Sequence, residues 1–180
     1  MVREYTVTES DMKIVNRMMT GSAFNRHTIR EGGEGQKVGL MAEIAFKRLM
    51  WERFPEIKYV GHRSYEYDFE IDSLTFDIKA KERTVRCKPE YECHINLYQN
   101  TSNVMYYVFA SVVGDLVQFM GYESKPNFMK RAHVVRAGDN TGIVERADSA
   151  KMFYRDLRSM EDLEENIELY LYRKAFGEIK

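Results

Sequence analysis

Hydrophobic positions in this chain change their period twice. Near the start, Met12, Val15 and Met19 recur at helical spacing and Ile14 and Met18 widen the stripe. That pattern predicts a short amphipathic helix over 9–20, capped by Ser10 and ended by Gly21. From Val38 to Phe54, Leu40, Ile44, Leu49, Met50 and Trp51 predict a mostly buried helix stopped by Pro55. The period then falls to two, predicting strands over 65–71, 74–81, 92–98, 105–113 and 116–120, the last two joined in hairpin fashion through Gly114-Asp115. A helix of one or two turns over 126–132 and a further strand over 150–155 come next. The last element is a helix over 160–176, with Ser159 as its cap, acids in its first turn, and Arg173 and Lys174 in its last. Helix, strands, helix implies an α/β or α+β fold. Three prolines and no Ser/Gly-rich tract leave no linker, so 1–180 reads as one domain.

Composition narrows the classes. At 180 residues the chain can bury a core without disulfide staples, and 44% hydrophobic with 31% charged residues is ordinary globular territory. A mean hydropathy of -0.51 argues against a membrane protein. Two cysteines, no signal-peptide pattern and no apolar run of about 18 residues lead us to expect a soluble, cytoplasmic protein. The 27 basic and 28 acidic side chains nearly cancel, so any surface for a polyanion must be local. One candidate is the stretch 24–36, where Arg26, His27 and Arg30 mix with Gly32, Gly33 and Gly35. It reads as a basic loop, although its spacing is not that of a phosphate-binding P-loop.

Chemistry concentrates at 67–81, which alternates on both sides of Asp72-Ser73 and therefore predicts a hairpin. A two-residue turn there sets Ile71 opposite Leu74 and Asp68 opposite Asp77, with Lys79 two residues along on the same face. Tyr67, Phe69, Ile71, Leu74, Phe76, Ile78 and Ala80 then form the core face. Opposed carboxylates repel, so a cation is expected between them, and oxygen donors of this kind suit magnesium. A third acid, Glu43, shares a helix face with Leu40, Phe46, Met50 and Phe54, and a carboxylate on an apolar face needs a partner.

Glu43 on a helix preceded by Gly39, then Asp68, then Asp77-x-Lys79 on the second strand of a hairpin, resembles the PD-(D/E)XK nuclease superfamily. The likeness spans roughly 38–121. Gly121-Tyr122 and the helix start Lys125-Pro126-x-Phe128 are similar to the segment after the sheet core in some members. Tyr67 stands where the family has proline. The resemblance implies a restriction-endonuclease-like core over about 38–136, with a central mixed β-sheet flanked by helices and the terminal helices packed on it. It further implies a magnesium-dependent nuclease, manganese substituting, that hydrolyses DNA as an endonuclease and is compatible with a homodimer. In that reading Glu43, Asp68, Asp77 and the Ile78 carbonyl hold the metal, and Glu43, Asp68, Asp77 and Lys79 form the catalytic set. Lys81, Arg83, Gln99, Arg26 and Arg30 would contact substrate. RNA as substrate, or a non-catalytic nucleic-acid-binding domain of the same fold, are the alternatives.

The triplet alone carries little, because acid-x-Lys also occurs at Asp11, Glu56, Glu123 and Glu178. An ordinary ion-paired hairpin face would use the same side chains, and each such exposed pair is worth little. Lys81, Arg83, Arg86 and Lys88 form either a phosphate-attracting patch or a charged edge that deters strand pairing. Cys87, Cys93 and His94 lack the spacing and the fourth ligand of a zinc site. His27, His62 and His133 show no partner in the sequence.

Overall fold

The computed structural model describes residues 2–20, 34–61, 66–99, 103–140 and 144–179, excepting the side chains of Glu34 and Gln99. Strand β1 (Arg3–Thr6) leads into α1 (Glu9–Met19), α2 (Glu34–Trp51), β2 (Lys58–Tyr59), β3 (Phe69–Ile71) and β4 (Leu74–Glu82). After them come β5 (Glu92–Asn96), β6 (Tyr106–Val113), β7 (Leu116–Ser124), α3 (Lys125–Arg131), β8 (His133–Val135), β9 (Ser149–Phe153) and α4 (Met160–Ala175). Six strands form one sheet in the order β1-β7-β6-β4-β3-β2, parallel only between β4 and β6; β5-β9-β8 form a small antiparallel sheet. The fold is thus mixed α/β.

Alternation assigns the two faces of β4. Phe76 and Ile78 point to α2 and join Leu40, Phe46 and Met50 in the main core. Asp77, Lys79 and Lys81 point the other way, as the period of two requires. Phe46 anchors the helix: its ring lies 5.1 Å from Phe69, 6.2 Å from Phe76 and 5.9 Å from Phe119. Tilted aromatic contacts of this kind add to the burial energy and fix the helix position on the sheet. A second cluster, with Tyr107, Phe109 and Phe128 facing Cys93, Ile95 and Met152, seats the small sheet on the opposite side.

Several boundaries differ from the sequence expectation. α1 is capped by Thr8 rather than Ser10, because Thr8 and Asp11 form a reciprocal capping box. α2 begins at Glu34, so Gln36 is helical, and it ends at Trp51, which is 49% exposed rather than buried. Residues 66–68 lie outside β3, and the edge strands β1, β2 and β8 were not anticipated. The expected strand over 150–155 is β9, and Ser159 caps α4 by accepting from the Asp162 amide at 3.2 Å. Tyr67 and Ala80 are only partly buried, and Tyr67 packs with the second cluster. The loop arginines Arg26 and Arg30, with His27 and His62, lie outside the described residues.

Asp11 ties α1 to α2. Its carboxylate accepts from the Thr8 amide at 3.1 Å, the Tyr5 hydroxyl at 2.8 Å and Arg48 Nε at 3.1 Å. Burial alone would raise its pKa, but the donors from Thr8, Tyr5 and Arg48 win and hold it at about 2. A depressed carboxylate stabilises the fold above its unfolded value of 3.8, and that contribution disappears as the pH falls toward 2. Asp11→Ala should cost about 2 kcal/mol in urea unfolding at neutral pH. The gap between variant and wild type should narrow as the unfolding measurement is repeated at pH values stepped down to about 2.5.

Candidate functional site

The site forms where β4 loses its neighbour. β3 pairs with β4 only through Ile71↔Leu74, Glu70↔Thr75 and Phe69↔Phe76. The two-residue turn is therefore as expected, but the ladder stops one pair short of Asp68 and Asp77. Instead of standing directly across from Asp77, Asp68 donates its amide to the Phe76 carbonyl at 2.9 Å, and its Oδ2 accepts from the Ile78 amide at 2.7 Å. Two carboxylates directly opposed would repel, and an edge amide needs an acceptor, so the bend relieves both problems. In a strand the N–H and C=O of one residue share a side, so the Ile78 carbonyl also lies on this open edge.

Glu43 approaches the same edge from α2. Its Oε2 accepts from the Tyr59 hydroxyl at 2.7 Å, and Gly39, one turn earlier on α2, lies beside its other oxygen. Lys79, which shares with Asp77 the face of β4 turned away from α2, meets it at 2.8 Å, and both are largely buried. The electrostatics show convergence. Burial raises Glu43 to about 7, with Asp77 adding to the rise while Tyr59 and Lys79 oppose it. Burial, then Glu43 and Asp77, push Asp68 well above the usual carboxylate range against the Ile78 amide and Lys79. For Lys79 burial works downward, yet Asp77 and Asp68 keep its ammonium above the ordinary lysine value. Among the described residues, no three His, Cys, Asp or Glu side chains stand in position to enclose a metal ion; each acid here is held by a protein donor.

Tyr59 and Gly61 were not anticipated, because β2 has only two residues and shows no readable period. A Cβ at Gly61 would lie 3.0 Å from the Tyr59 ring and hydroxyl and 3.1 Å from Asp68 Oδ1, so the absent side chain lets the two approach. The expected substrate residues separate. Lys79 and Lys81 line a cavity of about 240 Å³ with Gly39, His94 and Asn96. Lys81 and Arg83 line an adjoining cleft of about 860 Å³ over the small sheet. The Arg83 guanidinium is sandwiched over Tyr91 at 4.7 Å and Tyr154 at 5.7 Å, which ties it into the structure. Arg86 leaves the patch to pair with Glu4 at 2.8 Å. Gln99 ends a 3₁₀ turn (Leu97–Gln99) after β5. Burial raises the Cys93 thiol to about 12, and it donates to the Met152 carbonyl at 3.2 Å. His133, contrary to the sequence reading, has a partner in Glu92 at 3.2 Å.

No protein-family model matches the chain, no curated protein is recognisably similar to it, and no solved structure matches it.

An acid whose folded pKa is raised stabilises the fold below its unfolded value, and the benefit disappears as pH rises through the folded value. For Glu43 that window runs from 4.5 to about 7. Divalent-free protein should lose thermal stability across this window, and Glu43→Gln should flatten the slope in melts recorded at half-unit pH steps. An unchanged slope would mean that Glu43 is not desolvated as described.

Proposed function

We propose that this protein is a metal-dependent nuclease of the PD-(D/E)XK type, hydrolysing phosphodiester bonds in DNA. One observation carries the reading: Glu43, Asp68 and Asp77 come together with Lys79 at the open edge of β4, although they arrive from three separate stretches of the chain. An ordinary surface hairpin would leave these groups solvated. Here three mutually repelling carboxylates sit in a desolvated place with, among the described residues, one ammonium beside them, an arrangement that favours a further cation. A mixed sheet flanked by helices, with β4 antiparallel to β3 and parallel to β6, is in keeping with this reading.

Magnesium fits the donors by chemistry, since all are hard oxygens: the carboxylates of Glu43, Asp68 and Asp77 and the Ile78 carbonyl. Because this ion keeps several waters and takes only one or two carboxylates, a closed protein cage is not required. Its role when bound is to lower the pKa of a nearby water and offset charge on the phosphoryl group. The rest falls to the chain. Lys79, kept protonated by its two aspartates, serves as donor that orients the attacking water and stabilises charge on the phosphoryl oxygens, not as a general base. Tyr59 holds Glu43 in one orientation, and the Ile78 amide does the same for Asp68.

Plasmid, single-stranded DNA and RNA incubated with magnesium, with manganese and with chelator test this. Wild type should cleave DNA only with metal, and Asp77→Ala and Lys79→Ala should each lose about 10²–10⁴-fold in rate. Magnesium should raise the melting temperature of wild type and not of Asp77→Ala. Equal cleavage by wild type and Asp77→Ala, or no cleavage of any substrate, refutes the assignment. RNA cleavage in place of DNA would change the substrate and keep the site.

A further inference from the structure

The small sheet presents a second, unassigned set of charges. In its register His94 faces Lys151, and Lys151 faces His133, so three nitrogen side chains form a row across β5, β9 and β8. This row is the floor of the cleft of about 860 Å³. Of its acids, Glu145 pairs with Lys151, and Glu92 lies 3.2 Å from His133 Nε2. Lys81 on one wall and Arg146 on the other are exposed, and neither makes an ion pair among the described residues. With the histidines counted as neutral, Lys81, Arg83, Arg146 and Lys151 outnumber Glu90, Glu92 and Glu145 by one, a local positive excess in a chain whose net charge is -1. His94 is pushed down to about 4 by burial and by Lys81 and Lys151, which leaves it a neutral hydrogen-bonding group.

Two further features indicate what such a cleft would hold. Tyr91 and Phe153 line it, each with a guanidinium over its ring at 4.7 Å. A half-buried ring that lines a cleft can stack an unpaired base on its remaining face, whereas in a duplex the base faces are hidden in the stack. The cleft also adjoins the cavity that Lys79 lines. Lys81 comes two residues after Lys79 on the same face of β4, and Lys81, His94 and Asn96 line both cavities.

We propose that the cleft over the small sheet binds a single strand of nucleic acid beside the scissile phosphate, with Lys81 and Arg146 gripping its backbone from opposite walls. This rests on the nuclease reading for the word scissile, but the binding itself needs no catalysis. A strand entering the site crosses Lys79, then Lys81, and continues over the His94–Lys151–His133 row. The substrate is then one with an unpaired segment next to the cleaved bond, as in a flap, a gap or a free single strand.

Fluorescence anisotropy with a labelled single-stranded 20-mer DNA and the matching duplex, in chelator so that nothing is cut, tests the proposal. Wild type should bind the single strand about tenfold or more tightly than the duplex. Lys81→Ala and Arg146→Ala should each weaken single-strand binding severalfold and reduce the slope of log K against log salt by about 0.7. Both positions are exposed, so melting temperatures should be unchanged. Equal or tighter duplex binding, or a Lys81→Ala/Arg146→Ala double variant that binds the single strand as wild type does, overturns it. Tight single-strand binding without cleavage in magnesium would refute the catalytic assignment and leave the groove standing. Cleavage unaffected by the double variant would do the reverse.

Discussion

Desolvating several carboxylates together is unfavourable twice, through lost hydration and through mutual repulsion, and the region around β4 is organised by that constraint. Glu43 cannot retreat, since Phe46, three residues on, is wedged among Phe69, Phe76 and Phe119 and holds α2 against the sheet. Asp68 leaves the ladder before it meets Asp77 and finds the Ile78 amide. Lys79 reaches across to Asp77, and Tyr59 donates to Glu43. Among the described residues each acid thus has a donor, a compromise that lowers the local cost. An early end to β3 is what makes room for this, because a longer strand would have covered the edge that the acids occupy.

Much of this was legible in the order of residues. The alternation around Asp72-Ser73 set the turn and the pairing of Ile71 with Leu74, and helical spacing put Glu43 on the face of Leu40, Phe46 and Met50. What could not be read was where pairing would stop. Period two runs straight through Asp68, and only the energy of two opposed carboxylates tells the strand to bend. Tyr59 was invisible for a different reason: a strand of two residues has no period, and its hydroxyl matters only because β2 happens to lie beside α2. Trp51 and Thr8 show the limits of local pattern, since an apolar residue at a helix end can face solvent, and capping is decided by which side chain closes the reciprocal pair with Asp11.

The small sheet adds a division of labour between layers. The main sheet supplies acids and a lysine from one strand edge, whereas β5, β8 and β9 supply the His94–Lys151–His133 row. Their apolar backs meet through Tyr107, Phe109 and Phe128 against Cys93, Ile95 and Met152. Close packing there fixes the distance between the two polar surfaces, so the cavity between them, lined in part by Cys93 and Phe109, is set by core side chains.

The turn at the far end of the β3–β4 ribbon has a consequence for the whole centre. Asp72 adopts a left-handed backbone, φ 53°, and is held by the Tyr170 hydroxyl at 2.7 Å and by Lys174, both from α4. The final helix therefore grips the ribbon at its tip while the acids sit near its base, so torsion applied at one end is transmitted along β3 and β4 to the other. Fraying of the last turns of α4 would release the grip and blur the alignment of Asp68 and Asp77 without altering a single group that touches them.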